Sequence, residues 1–345
     1  MRTTFISTLT LMNSPRNALP RLQSELADVS KELTTGRRAD VGLSLGLGTA
    51  ESVRLRAEEA SVRRYFDGNA VMAAQIERTQ GALDDMRSQA DKFQQMLTGI
   101  SESATSAQVI QRQAAGFLDA FTGTLNLADG RRYMFGGINS GEKPIKNLDE
   151  GPGAAIVAAF NTRFGIDPSD PAAGTIPAAD LEDFIDNEFA DMFEEPGWSA
   201  TWSQASSTNL EGAISPAERV GTSANANEPA MRKLAMAYTM VAALGTEHLA
   251  GAAFTMVIDK ARSLAGTGTS ELVSISARLG TSQNRIEASN ALMQRGLDAI
   301  GKRIDRLESV DPAEAKTKLD LIATQIEMSY SLTSRILKMS IMNYV

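Results

Sequence analysis

The sequence predicts a mainly α fold: a long antiparallel helical rod, coiled-coil-like, formed by the N- and C-terminal segments, with a small inserted α+β or β-containing domain. Three observations predict it. Leu272, Leu279, Ile286, Met293, Ile300 and Leu307 are apolar at seven-residue intervals, with no proline between them. Phe5, Met12, Leu19, Leu26 and Leu33 repeat that interval near the other end of the chain. Between the two, residues 141–230 hold eight of the eleven prolines, with 16 acidic residues against 4 basic ones. Their net charge of −12 exceeds the −8 of the whole chain. Seven-residue spacing keeps one stripe on one helix face over many turns. At 1.5 Å per residue the longer stripe runs for about 55 Å and needs equally long partners.

At the N-terminus, Leu22 and Val29 fill the alternate row of the stripe. Proline inside a helix costs about 3 kcal/mol. Pro15 and Pro20 therefore place the start of the regular helix near Pro20 and leave residues 1–19 kinked or conditionally ordered. Thr35-Gly36 reads as a helix end with a glycine stop. Residues 37–48, with Gly42, Gly46 and Gly48, read as a linker, and Thr49 as an N-cap. A helix is expected from Ala50 past Ile100, with the seam Ile76, Thr79, Leu83, Met86, Ala90, Phe93, Leu97 and Ile100. A shorter helix from Ser106 to Ala128 would bury Val109, Phe117, Phe121 and Leu125.

The acidic stretch is a different kind of polypeptide, with short elements and many turns. Its strongest helical signal is Ala178–Phe193, with Leu181, Phe184, Ile185, Phe189 and Met192 at helical spacing. Short strands are expected at Ile156–Phe160 and Trp198–Ser203. After Pro229 a helix runs to about Leu264 through Leu234, Tyr238, Val241, Leu249 and Phe254, bending at Gly245 and Gly251. The long helix that follows has Ser276, Gln283, Asn290, Leu297 and Ile304 as its second row. Asp311-Pro312-Ala313-Glu314 is a helix start, with Asp as cap, Pro at the first position and Glu in the place of a capping box. Leu319, Ile322, Ile326, Thr333 and Ile336 continue a seam, and Leu332, Leu337, Met339, Ile341 and Met342 widen the apolar surface. The expected division is residues 1–40 with 309–345 as a terminal coiled coil, 41–140 with 231–308 as a helical rod, and 141–230 as an acidic insert.

The composition offers little chemistry. There is no cysteine and a single histidine, His248. That leaves neither a thiolate nor a cluster for metal or nucleophilic catalysis. Gly136 to Lys143 has the glycine spacing of a phosphate loop, but Glu142 stands where the lysine must be, so a turn is expected. The acidic run Asp180–Glu195 lacks the spacing of a calcium loop and reads as a solvated helix face. No enzyme activity, metal or cofactor is expected. The basic pairs Arg37-Arg38, Arg63-Arg64 and Arg131-Arg132 are scattered on an acidic chain, which argues against nucleic acid. No run approaches the ~20 apolar residues of a membrane span. The N-terminus lacks the basic and apolar regions of a secretory signal.

The stripes are therefore the functional feature. The expected assembly interface is Leu19, Leu22, Leu26, Val29 and Leu33 with Leu319, Ile322, Ile326, Ile336, Leu337 and Ile341, the first and last helices lying side by side and packing on other subunits. A single stripe does not offset the backbone entropy of each terminal segment. Residues 1–35 and 312–345 are expected to be loosely ordered in a free monomer and to fold on assembly.

Several runs carry a resemblance. Glu32-Leu33-Thr34-Thr35-Gly36-Arg37-Arg38, Tyr65-Phe66-Asp67-Gly68-Asn69, Gln80-Gly81-Ala82-Leu83 and Gly280-Thr281-Ser282-Gln283-Asn284-Arg285-Ile286 are similar to runs of the bacterial flagellin family. The resemblance covers roughly residues 20–140 and 270–345. Asp129 to Gly137, containing Arg132, Tyr133, Met134, Phe135 and Gly136, resembles the hook-associated members rather than the filament subunit, and so does the ending with Asn343 and Tyr344. The resemblance implies a structural subunit exported by the flagellar type III pathway without a cleaved signal. It implies terminal helices in an inner tube, a rod in an outer tube and an insert facing solvent. The implied partners are further copies of the chain in a ring-like layer, a hook-associated junction protein, flagellin, and a cytoplasmic chaperone on the C-terminal helix. A filament subunit and a helical signalling or scaffold protein remain as alternatives.

Overall fold

The structure, a computed structural model, describes residues 8–99 and 104–342, with side chains from 18 to 99 and from 106 to 335. Phe5, Ile100, Asn343 and Tyr344 lie outside the described residues, as do the side chains of Met12, Ile336, Leu337 and Ile341. The chain is mainly α, built of long helices packed against one another and two small antiparallel hairpins. It divides into two compact units, Met1–Arg64 with Leu292–Val345, and Tyr65–Ala291.

Among the described residues the first unit contains α1 (Thr8–Thr35), the short α2 (Val41–Leu45), the start of α3 (Thr49–Thr98), the end of α9 (Gly251–Glu308) and α10 (Pro312–Met342). The regular helix does not wait for Pro20: α1 runs through both prolines from Thr8, each proline removing one backbone donor from an otherwise continuous ladder. It ends as expected at Gly36, which has φ +67° and donates its N–H to the Glu32 carbonyl at 2.8 Å. Residues 37–48 are more ordered than a linker. Asp40 caps α2 by accepting from the Leu43 N–H at 2.9 Å, and one 3₁₀ turn, Gly46–Gly48, leads straight into α3. Thr49 is the first helical residue rather than a cap, and its hydroxyl donates to the Gly42 carbonyl at 3.1 Å.

In the second unit, α3 and α9 (Gly251–Glu308) run antiparallel: Asn69 donates to Asn290 at 2.8 Å and Gln94 to Thr269 at 3.4 Å. The seam of α3 is buried from Ile76 to Leu97. On α9 the first row is buried at Leu272, Leu279 and Ile286. Its companion row differs from expectation: Ile275 and Ser282 are buried where Ser276 and Gln283 were expected, and Leu297 and Ile304 are buried as expected. The offset is three residues in the first half and four in the second. A helix of 3.6 residues per turn drifts against a 3.5-residue repeat in just this way.

Helix α4 (Ala104–Leu125) packs on α8 (Pro229–Ala243). Its buried face is Ala107, Ile110, Ala114, Leu118, Phe121 and Leu125. Val109, expected inside, is exposed, because the three-four spacing that includes Phe121 and Leu125 passes through Ile110. The Tyr238 ring of α8 lies 4.8 Å from Phe93, 5.5 Å from Phe121 and 6.1 Å from Phe117. The expected bend at Gly245 is a break: α8 stops at Ala243, and α9 begins at Gly251, with both glycines at positive φ.

Residues 141–230 fold as short helices and one hairpin. Both strands expected there are helices instead. Ile156–Phe160 lies in α5 (Pro152–Phe164), started by a proline in its first turn and stopped by Gly165 at φ +73°. Trp198 to Thr201 lie in α7 (Gly197–Thr201), and of the expected strand only Ser203 makes a bridge, to Ile145. The helix expected from Ala178 is α6 (Ala178–Phe184), continued by a π turn (Ile185–Phe189) and a 3₁₀ turn (Ala190–Met192). Phe160, Phe184, Phe189, Phe193, Trp198 and Trp202 form a chain of neighbouring rings, all buried. The sheets of the unit are the hairpin β1 (Ala128–Asp129) with β2 (Arg132–Tyr133), and β3 (Glu211–Ser215) with β4 (Glu218–Gly221).

Candidate assembly interface

The first unit holds the two terminal stripes. Helices α1 and α10 pack along each other, antiparallel, with Gln23 donating to the Tyr330 hydroxyl at 3.4 Å. Val29 and Ile322 are buried between them, and Leu19, Leu22, Leu26, Leu319 and Ile326 are half-buried. Leu33 is 39% exposed. Its neighbour Glu32 turns towards the chain and accepts from the Ala39 N–H at 3.0 Å. The pair thus encloses one stripe only.

A second apolar row runs along α10. Leu321, Met328 and Leu332 are 58%, 58% and 51% exposed. Their spacing of seven and four places them on one helix face. Beside them, Leu22 and Met328 line an open groove of about 650 Å³ between α1 and α10, flanked by Arg21, Glu25 and Gln325. Leu43 and Leu47 on the short connection after α1 are also exposed.

The ends of α1, α3, α9 and α10 meet in a joint. The Arg38 N–H donates to the Glu308 carbonyl at 2.9 Å and the Val310 N–H to the Gly36 carbonyl at 3.0 Å. Asp311 caps α10 by accepting from the Ala313 N–H at 2.8 Å; the return bond from Glu314 is not among the described contacts. The Glu308 side chain is fully buried here. Ser52 Oγ donates to its Oε1 at 2.6 Å, and Arg56 donates to both oxygens, with Nε to Oε1 at 2.8 Å. Arg37 lies 3.8 Å from Oε2. The Arg56 hydrogen bond holds the Glu308 carboxyl below the usual carboxylate range, against the opposing effect of burial and with help from Ser52. Leu55, Ile300 and Ile304 form a small core next to it, with Leu307 packed against it. Sequence reasoning passed over Ser52, Arg56 and Glu308. The signal was there: Glu308 lies four residues after Ile304, a charged residue where the apolar row would continue.

The motif residues of the second unit have structural work. Arg132 is exposed, Tyr133 and Met134 are half-buried in the β1–β2 hairpin, and Phe135 and Gly136 are buried. The Phe135 carbonyl accepts from the Ala226 N–H at 2.9 Å, and the Gly136 carbonyl from the Ser206 N–H at 3.0 Å. The run therefore pins the exit of α4 to residues 203–227. The phosphate-loop lookalike is a turn, with Gly137–Asn139 forming one 3₁₀ turn and Lys143 paired with Glu150 at 2.6 Å. Arg285 binds Glu218 of β4 at 2.8 Å, while Asn284 is exposed. No helix among the described residues is long and apolar enough to cross a membrane.

Two family profiles match the chain. Residues 6–140 match the bacterial flagellin N-terminal helical region, and residues 263–345 match the bacterial flagellin C-terminal helical region. Among solved structures, the chain is similar to a protein from Vibrio parahaemolyticus described as flagellar hook-associated. The TM-score is 0.54 at 8% identity, over 76% of this chain and 97% of that one, a likeness of fold. Comparison with curated proteins returns no match.

Proposed function

The chain belongs to the bacterial flagellin family of structural flagellar subunits, and from that premise we propose that it sits at the junction between hook and filament. It assembles there as a ring-like layer, with a hook-associated junction protein on one side and flagellin on the other. Residues 1–40 with 309–345 form the inner tube of this layer, 41–140 with 231–308 the outer tube, and 141–230 the solvent-facing insert. The flagellar type III pathway exports the chain, and a cytoplasmic chaperone covers α10 beforehand.

The observation that carries assembly is the second apolar row of α10. Leu321, Met328 and Leu332 are exposed and lie outside the buried stripe of α10 at Ala315 and Ile322. A soluble monomer gains nothing from such a row, whereas a tube of like helices buries it. For the junction position, the support is the run Arg132–Gly136, which resembles hook-associated members, together with the fold shared with the Vibrio protein.

Deleting the gene tests the position. Hooks without filaments, with flagellin shed into the medium, are the expected result. A shortened or altered filament on an intact junction would make the chain a filament subunit instead. Normal hooks and filaments would remove it from the flagellar axis altogether.

A further inference from the structure

A fully buried carboxylate at the meeting point of four helix ends is an unusual use of a charged group. Burying an ion is costly unless it is paired and hydrogen-bonded. Glu308 meets that condition through Ser52 and Arg56 of α3, with Arg37 of the α1–α2 connection close by. The other charged contacts of the joint are exposed. Arg37–Asp305 and Arg303–Glu51 leave roughly half of each side chain in solvent. Exposed pairs of this kind contribute little. Among the described residues Glu32 binds the Ala39 N–H, Asp311 caps α10, and Glu59 acts on Arg56 from the next turn of α3.

The backbone reinforces this asymmetry. Two bonds tie the chain before α2 to the chain before α10, and one of them ends on the carbonyl of Glu308 itself. One residue therefore holds α3 through its side chain and the α1–α2 connection through its backbone.

We propose that Glu308 is an ionic latch within the first unit. Ionised, it clamps the ends of α1, α3, α9 and α10 together. Protonated or neutralised, it frees the α1–α10 pair from the ends of α3 and α9, while residues 65–291 stay folded. The inference rests on the fold alone and stands apart from any position in the flagellum.

The direction with pH follows from the lowered pKa of Glu308. A carboxyl whose folded value lies below its unfolded one contributes stability that is complete above the ordinary range and lost as pH falls through the folded value. The latch is closed at neutral pH and opens in acid.

Hydrogen exchange of the full chain, read by mass spectrometry and corrected for intrinsic rates, tests this. The reporters are the Arg38 and Val310 amides, and the emission of Trp198 and Trp202 checks residues 65–291 in the same samples. In the native chain, protection of the reporters should fall by tenfold or more, an order-of-magnitude expectation, between neutral pH and about pH 3, with tryptophan emission unchanged. Glu308→Gln should show the open level already at neutral pH and no further fall in acid. Arg56→Met should open the joint in the same way, and Asp305→Asn should leave it closed. Native protection in Glu308→Gln at neutral pH would overturn the proposal. So would loss of tryptophan emission together with the joint, because Glu308 would then support the whole fold and not a latch.

Discussion

Single residues decide whether the corner after α4 can close. Gly137 has φ +59°, and a Cβ there would stand 2.4 Å from the Ser206 carbonyl oxygen and 2.7 Å from that of Thr208. Both obstacles are backbone and cannot swing aside. Gly137→Ala should therefore destabilise residues 65–291 by well over about 1 kcal/mol. Urea unfolding followed by the emission of Trp198 and Trp202 measures it, since both tryptophans lie in that unit. Gly116 gives the opposite sign. It sits exposed within α4 with nothing within 4 Å of a built Cβ, so Gly116→Ala should stabilise the same transition by about 0.5–1 kcal/mol. The sequence marks both as glycine and cannot separate them, because the obstacle to Gly137 comes from a segment some seventy residues away. Glu308 was legible in a weaker sense. Its place in the apolar row is visible in the sequence, but Arg56, the partner that makes burial tolerable, is brought to it only by the fold.

At the scale of the element, period was a good guide to faces and a poor one to phase. The row Leu272, Leu279, Ile286 was readable because it repeats over many turns, and so was the seam of α3. The companion row was not, because the drift between 3.6 and 3.5 moves it by one residue along α9. This yields a sharp contrast. Ile275→Ala should cost about 2–5 kcal/mol in the tryptophan-monitored transition, and Ser276→Ala, at a half-buried position, or Val273→Ala, at an exposed one, about 0.5 kcal/mol or less. Equal effects at 275 and 276 would mean the expected phase was right. The short elements failed for another reason. The run from Ala154 to Phe160 is apolar almost throughout, and such a run fits a buried strand or a buried helix equally. Pro152 in the first turn and Gly165 just past the end were the signals that settle it. The start expected near Pro20 is wrong for α1 because the local costs of Pro15 and Pro20 are borne by a helix with a long partner along its length.

At the scale of the whole molecule, charge and burial are divided in the same sense. The entire negative excess lies in residues 141–230, and the remaining residues carry a net +4. Large aromatic side chains fill the core of residues 65–291, whereas among the described side chains of the α1–α10 pair only Val29, Ala315 and Ile322 are buried. Stability should therefore be uneven, with the terminal pair opening well before the rest. Limited proteolysis of the dilute chain should cut first between residues 18 and 35 and between 312 and 335, leaving a resistant product that retains both tryptophans. Concentrating the chain into assemblies should protect those same segments and raise helical circular dichroism. The double substitution Leu321→Glu with Met328→Glu separates the two stripes. Both side chains are exposed, so the dilute chain should keep its proteolytic pattern and its urea transition. Placing two charges in a row that a tube of helices must bury should abolish protection at high concentration. If the substituted chain still assembles, the stripe between α1 and α10 is the one exchanged between subunits, and the packed pair within one chain must open for assembly to occur.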